Sequence, residues 1–187
     1  GPDERRLALA LGLPLYAPSP EIASAFGSKS GARRVFAAAG AATPPGVHDI
    51  YSEAELLTEL ARLVAANLDV QRWVIKLDDE SAGRGIAHFD TAALPSKRAL
   101  LLERDSALAA ENGATTPEAR SRIETQLREE LAAALPQCAV INARWLYPSW
   151  AAFADELARR GVAVEAAPQP VLGAQAASLL VEPDGAV

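Results

Sequence analysis

The strongest constraint on the fold lies in residues 73–90, where two runs of β-forming residues flank a glycine-rich segment. Trp73, Val74 and Ile75 precede a lysine, Lys76, and a second apolar run covers residues 86–89. Runs rich in β-branched and aromatic residues that are separated by a glycine-containing loop are typical of a β-hairpin. The sequence therefore predicts two antiparallel strands joined by a flexible loop, with a lysine inside the first apolar strand.

Helical patterns are interleaved with this hairpin and with further short strands. Apolar residues recur at spacings of three and four after Ser28, Ser52 and Ser149, each of which can cap a helix, and again over residues 118–135. Strands are predicted at 13–16, 47–51, 139–141 and 162–164, with a last one beginning at 178. Interleaved helices and strands indicate the α/β or α+β class. The helix after Ser28 is expected to bury Ala32, Val35, Phe36 and Ala39.

Composition excludes several classes of protein. The net charge of −6 argues against an extended nucleic-acid surface. A single cysteine, Cys138, excludes an intrachain disulfide and fits a reducing compartment such as the cytoplasm, and we expect it to be a small core residue. No apolar run approaches the roughly 20 residues of a membrane helix. Two histidines and one cysteine form no metal-ligand cluster.

The loop between the two hairpin strands has the chemistry of an anion-binding flap. Glycines allow backbone N–H groups to approach an anion closely, Ser81 adds a hydroxyl donor, and Lys76 and Arg84 add positive charge. The sequence contains neither a Walker phosphate loop nor a dinucleotide fingerprint. An ordinary hairpin with a solvated lysine and arginine is the alternative that the loop alone leaves open.

Two further residues favour a phosphate-binding interpretation. Lys29 lies at the start of the helix capped by Ser28, where it can reach an anion at the helix N-terminus. Glu165 follows the apolar strand at 162–164 and precedes a proline-rich turn, where a carboxylate can accept hydrogen bonds from ribose hydroxyls. The alternatives are a solvated surface lysine and a plain exposed glutamate.

The order of these segments resembles the ATP-grasp superfamily over residues 10–187. A lysine near a helix start in "GSKSGARRVFAAAGAATPPG" leads to a proline turn, and a strand with a second lysine, "WVIKLD", leads to the glycine-rich loop "ESAGRGIA". The apolar strand in "GVAVEAAP" then ends in an acid where the family has its adenine hinge. The resemblance implies an α+β fold with a small antiparallel nucleotide-binding sheet and flanking helices.

Two branches of the superfamily are similar to this sequence. "KLDDESAGRGIAHFD", "RRGVAVEAAPQP" and "LLVEPDGAV" resemble the ATP-grasp-like region of the ciliary, sperm-associated IQ-motif-containing protein H of eukaryotes. Residues 7–40 resemble bacterial peptide ligases of the pheganomycin type equally well. We favour the first branch, which implies a cytoplasmic protein of a cilium or flagellum with ciliary protein partners.

The resemblance also implies a division of the chain and a nucleotide site. Residues 1–26 would end a preceding region, 27–165 would form the small lid subdomain, and 166–187 would begin a truncated large subdomain. ATP would be the ligand, with Mg²⁺ held by residues outside this chain, since Glu182 and Asp184 lie in a predicted turn. Lys29 and Lys76 would contact the α- and β-phosphates. The loop residues Ser81, Gly83, Arg84 and Gly85 would close over the β- and γ-phosphates. The adenine end would be held by Val164, Glu165 and Ala166.

Three functions are compatible with these observations. The first is a fragment of an ATP-dependent carboxylate–amine ligase that activates a carboxylate as an acyl phosphate. The second is a degenerate ATP-grasp module that acts as a scaffold in an axonemal complex, together with the rest of its domain. The third is an α/β interaction domain without a nucleotide. Because the metal ligands are expected elsewhere, we expect the chain alone to lack ligase activity.

Overall fold

A five-stranded antiparallel sheet organises the protein. The computed structural model describes residues 1–109 and 117–171. The strands are β1 (Gly46–Ile50), β2 (Arg72–Leu77), β3 (Ile86–Asp90), β4 (Val140–Ile141) and β5 (Val162–Ala166). Their order across the sheet is β1-β5-β2-β3-β4, and each neighbouring pair is antiparallel. The predicted α+β class with a small antiparallel sheet is thereby confirmed.

The predicted hairpin of β2 and β3 divides the sheet into two faces. Trp73 lies opposite Phe89 and Lys76 opposite Ile86. Along β2, buried Trp73, Ile75 and Leu77 alternate with half-buried residues that include Lys76. Because successive side chains of a strand point to opposite faces, the first set belongs to the core. The other set, with Lys76, belongs to what we call the open face of the sheet.

Three long helices cover the core face. Leu56 and Leu60, Leu127 and Leu131, and Phe153 and Leu157 from these helices are fully buried against the sheet and one another. Burial of each such side chain stabilises the fold by about 1.5–3 kcal/mol. The helices are α1 (Pro2–Leu11), α2 (Pro20–Gly27), α3 (Lys29–Ala38), α4 (Glu53–Ala66), α5 (Pro95–Ala109), α6 (Pro117–Cys138) and α7 (Trp150–Arg160), of which α4, α6 and α7 form this layer.

The predicted serine caps are confirmed at three helices. The side chains of Ser28, Ser52 and Ser149 accept hydrogen bonds from the backbone N–H groups three residues later. These bonds satisfy donors that the first turn of a helix leaves free, and each cap contributes about 1 kcal/mol. Glu55 adds a second contact at the start of α4, because its carboxylate accepts from the N–H of Tyr51, the residue before the capping serine, at 3.0 Å.

The predicted buried face of α3 is wrong. Val35 and Phe36 are 44% and 47% exposed, and the buried residues of the helix are Ser30, Gly31 and Arg33. The reason is that α3 packs through polar contacts. Ser30 donates to the carboxylate of Asp78, which follows β2, and Arg33 pairs with Glu165 of β5. These contacts hold the polar side of α3 against the sheet, so its apolar side faces outward.

Two other expectations, a strand at 13–16 and a buried Cys138, are wrong, and two more are not tested by the described residues. Residues 13–16 form no strand; the N–H of Leu13 donates to the carbonyl of Ala8 in the cap that ends α1, and Pro14 has no N–H to offer a ladder. Cys138 is exposed because it lies on the solvent side of the last turn of α6. The strand predicted from residue 178 is not among the described residues, and the three-part division of the chain stays a prediction.

A buried carboxylate, Asp78, connects α3 to the sheet. Its Oδ1 accepts hydrogen bonds from both the backbone N–H and the hydroxyl of Ser30, each at 2.8 Å, and the side chain is almost completely buried. The backbone of Asp78 accepts from the N–H of Lys29 and donates to the carbonyl of Gly161. Ser30 Oγ in turn accepts from the N–H of Asp49 at 3.0 Å. The start of α3 is therefore held against β1, β2 and the start of β5.

Close contact of β1 with β5 generates a prediction for Gly46. A Cβ on Gly46 would lie 2.2 Å from the carbonyl oxygen of Val164, whereas a Cβ on Gly27 would meet nothing within 4 Å. We expect Gly46→Ala to lower the free energy of unfolding by roughly 1–3 kcal/mol, because the strands must separate to accept the methyl group. Gly27→Ala is the matched control and should leave it nearly unchanged. Urea unfolding of both variants measures the difference, and equal stabilities would contradict the prediction.

Candidate functional site

The structure brings Lys29, Lys76 and Glu165 together in one cleft on the open face of the sheet. The cleft has a volume of about 380 Å³ and lies between α3, the residues that follow it, β2 and β5. Its apolar wall consists of Ala32, Phe36, Ala41, Ala42 and Pro44.

Strand register explains why Lys76 and Glu165 meet. Lys76 lies opposite Ala163 on β5, and Glu165 lies opposite Val74 on β2. The two charged residues are therefore diagonal neighbours on the same face, which places long side chains within reach of each other. The ammonium group of Lys76 donates directly to Glu165 Oε2.

Arg33 is the charged residue of the cleft that sequence reasoning missed. Its Nη1 lies 3.1 Å from Glu165 Oε1, and its Nη2 donates to the carbonyl of Pro44 at 3.3 Å. The side chain is about 90% buried, since its exposure is 10%. A signal was present, because Arg33 follows Lys29 by four residues and therefore lies on the same side of α3.

The lining of the cleft is electropositive. The described lining has three cationic side chains, Lys29, Arg33 and Lys76, and one carboxylate, Glu165. Its net charge is therefore positive by two. This excess stands out in a chain whose net charge is −6. A concave, partly apolar site with converging cations is suited to an anion that also carries an apolar group.

The two cations control the ionisation of Glu165. Burial raises the pKa of this carboxyl group, because a charge is less stable away from water. Hydrogen bonds and charges from Lys76, and then from Arg33, more than offset this effect, so the pKa of Glu165 lies below its usual value. The residue is therefore a carboxylate throughout the physiological range.

The predicted loop residues lie beside the cleft but are not part of its described lining. Ser81, Gly83, Arg84 and Gly85 belong to the connection between β2 and β3, and the guanidinium of Arg84 contacts Ser81 Oγ and Glu80 Oε2, both at 3.2 Å. The ammonium group of Lys29 donates to the backbone carbonyl of Glu80. Lys29 thus links the cleft to the base of the loop.

The backbone geometry of the hairpin disfavours a side chain at two of the loop glycines. Gly83 adopts a left-handed conformation with φ of 73°. A Cβ on Gly85 would lie 2.5 Å from Glu80 Cβ and 2.9 Å from Leu77 Cβ. The carbonyl of Gly85 accepts from the N–H of Leu77, so the loop closes tightly at the end of the hairpin. Geometry of the hairpin therefore requires these glycines, whatever the loop binds.

At the predicted adenine end, the side chains of Val164 and Ala166 face the core. Both residues are buried, and the N–H of Ala166 donates to the carbonyl of Pro45 at 2.8 Å. A contact between adenine and this part of β5 would therefore use the carbonyl of Ala166 or the side chain of Glu165.

The described helices and side chains also bear on membrane insertion and metal binding. Over residues 1–109 and 117–171, no helix combines the length and the apolar character that a bilayer crossing needs. Within the same ranges, no group of three or more His, Cys, Asp or Glu side chains is arranged to hold a metal ion. Glu182 and Asp184 lie outside the described residues, so the location of Mg²⁺ ligands stays a prediction.

Comparison with known proteins gives two matches. A family model described as "IQCH-like, ATP-grasp" matches residues 20–187. IQ motif-containing protein H of Danio rerio is 32% identical over 186 residues, which make up 99% of this chain and 17% of that protein. The chain thus spans a small part of its relative. No solved structure matches.

The lowered pKa of Glu165 predicts a pH dependence of stability. A carboxyl group whose pKa is lower in the folded state stabilises the fold fully above its unfolded pKa of about 4.3, and this contribution is lost as the pH falls toward the folded value. We expect the free energy of unfolding of the wild type to fall more steeply between about pH 6 and about pH 3 than that of Glu165→Gln. Denaturant titrations at several pH values measure both slopes. Parallel curves would show that Glu165 gains nothing from Lys76 and Arg33.

Proposed function

This chain belongs to the IQCH-like ATP-grasp family, and on that premise we propose that it binds ATP in the cleft between α3 and the open face of the sheet. The observation that carries this proposal is the convergence of Lys29, Arg33 and Lys76 on one cleft with an apolar wall. ATP combines a polyanion with a flat apolar base, and the cleft offers a surface for each.

The three cations supply the contacts to phosphate. Lys29 and Lys76 bind the α- and β-phosphates as point charges, and Arg33 adds a planar fork suited to two oxygens. Lys76 exchanges its contact with Glu165 for a contact with phosphate. The freed carboxylate then accepts hydrogen bonds from ribose hydroxyls, while the base lies against the apolar wall near Phe36 and Pro44.

The loop between β2 and β3 acts as a lid over the terminal phosphates. Ser81, Arg84 and the backbone of Gly83 and Gly85 provide donors for the β- and γ-phosphates. Lys29 supports this role, because its contact with the carbonyl of Glu80 connects the phosphate cations to the base of the lid.

Activation of a carboxylate as an acyl phosphate, followed by attack of an amine, is the reaction we assign to the complete domain. Lys76 and Arg84 would stabilise charge on the transferred phosphoryl group. Mg²⁺ would neutralise charge between the phosphates, and the described residues contain no group of three or more His, Cys, Asp or Glu side chains arranged to hold it. We therefore propose nucleotide binding, without turnover, for this chain by itself.

One observation favours a second function, that of a non-catalytic scaffold. Glu165 already bridges Arg33 and Lys76, so this ion network is complete without a ligand. A module of this kind would contribute shape and surface to a larger assembly that includes the rest of its ATP-grasp domain. The resemblance to a ciliary protein supports a place in the cytoplasm of a cilium or flagellum, with ciliary proteins as partners.

Titration with ATP separates the two functions, and replacement of Lys76 tests the binding site. We expect Lys76→Ala to weaken ATP binding about ten- to a hundredfold, because a charge-assisted hydrogen bond contributes roughly 1.5–3 kcal/mol. Arg62→Ala, which removes an exposed cation of α4 from its pair with Glu59, is the control and should bind like the wild type. Calorimetric titration with MgATP measures all three affinities. No binding by the wild type at millimolar ATP would favour the scaffold, and equal binding by Lys76→Ala would remove this residue from the site.

Limited proteolysis tests the lid. Trypsin should cut after Arg84, which is exposed, and saturating MgATP should slow this cut because the loop closes over the phosphates. Cleavage after Arg6 in the exposed helix α1 serves as the internal control and should keep its rate. Mass spectrometry of the fragments over time distinguishes the two cuts. Equal rates at Arg84 with and without ATP would contradict the lid.

A further inference from the structure

A second cavity lies at the opposite end of the hairpin from the glycine-rich loop. It has a volume of about 550 Å³ and opens between the start of β2, the end of β3 and helix α5. Its charged lining residues are Arg72, Asp90, Lys97 and Arg98. Lys29, Lys76 and Glu165 are absent from its described lining, so it is separate from the ATP cleft.

Lys97 brings a buried charge to this cavity. The residue is 6% exposed, and its ammonium group donates to the carbonyl of Val70 and to Thr91 Oγ1, both at 2.5 Å. Among the described residues, no carboxylate lies within ion-pair distance of it. Burial lowers the pKa of Lys97, and the more distant charge of Asp69 opposes this effect. A buried ammonium group without a counter-charge is costly, and an anion in the cavity would supply that counter-charge.

Arg98 adds a second cation that is free to bind. It is exposed, lines the same cavity and has no hydrogen-bond or ion-pair partner within the described part of the chain. The neighbouring arginine is different in this respect, since Arg72 forms two bonds with Asp90, at 2.6 Å and 2.8 Å. Lys97 and Arg98 therefore remain as two adjacent positive charges without a carboxylate.

The rest of the lining limits what the anion can be. Leu94 is buried, Leu101 is half-buried, and both border the cavity. Apolar walls favour a ligand with an apolar body over a small, strongly hydrated ion. The volume lies within the range of sites for metabolite-sized ligands.

We propose that this cavity binds a small organic carboxylate, whose charge lies between Lys97 and Arg98 and whose apolar part lies against Leu94 and Leu101. The carboxylate oxygens accept from the remaining N–H of Lys97 and from the guanidinium fork of Arg98. The proposal does not depend on ATP binding, because the residues of the two sites are different.

Titration with hexanoate tests the proposal. Binding is measured by the change in NMR chemical shift of the backbone amides of α5. We expect saturable binding to the wild-type chain and about tenfold weaker binding to Arg98→Ala. Lys97→Met, which keeps the length of the side chain but removes its charge, should weaken binding at least as much. Arg62→Ala is the control for a lost surface cation, and Lys76→Ala is the control for the ATP cleft; both should bind hexanoate like the wild type.

Four results would overturn the assignment. Equal affinity of the wild type and Arg98→Ala would exclude recognition by this cation, and Arg98→Ala decides the matter even if Lys97→Met fails to fold. Hexan-1-ol binding as tightly as hexanoate would exclude recognition of charge. Inorganic phosphate binding as tightly as hexanoate would exclude an organic acid as the preferred ligand. Loss of hexanoate binding in Lys76→Ala would place the ligand in the ATP cleft instead.

Discussion

The contact between Asp78 and Ser30 is the interaction on which the geometry of the cleft depends. A buried carboxylate is tolerated when its oxygens accept hydrogen bonds, and here one oxygen accepts two from a single residue at the N-terminus of α3. Lys29 and Arg33 extend from that helix, and Lys76 lies two residues before Asp78 on β2. The carboxylate therefore sets the distance between the two sides of the cleft, and the positive end of the helix dipole adds to its stability.

Once this contact is formed, the balance of charge in the cleft follows. Arg33 and Lys76 approach from different elements and meet on Glu165, which keeps a partly buried carboxylate ionised. The same carboxylate limits the cleft as a binding site, because an incoming anion has to compete with it for Lys76. A single glutamate is therefore paired with two cations, and the proposed polyanionic ligand would have to offer Lys76 more than Glu165 does.

Much of the fold could be predicted because the deciding signals are local. The strands at 73–77 and 86–89 and the serine caps at residues 28, 52 and 149 depend on neighbours within a few positions, and the structure confirms them. The inner face of α3 could not be predicted this way. Its partners, Asp78 and Glu165, are 48 and 132 residues away from Ser30 and Arg33, so apolar periodicity assigned the wrong side.

The same distinction applies to the candidate site. Lys29, Lys76 and Glu165 could be selected from the order of motifs, and the register of β2 and β5 brings the last two together. Arg33 was missed because the buried side of its helix was assigned from the spacing of apolar residues. The second cavity could not be predicted either, because its cations, Lys97 and Arg98, lie in a segment with no clear sequence pattern. Their significance depends on the burial of Lys97 and on the absence of a described carboxylate partner for either residue.

The chain contains three lysines and fifteen arginines. Lys29 and Lys76 line the first cleft and Lys97 the second cavity, and each amine donates to a protein oxygen. Arginine does not react with amine-directed acylating reagents, so most of the basic side chains of this chain are not modified by them. Apart from the N-terminal amine, acetylation or amine cross-linking of this chain can mark only the two candidate sites. The lysines are therefore built-in reporters of whether those sites are open.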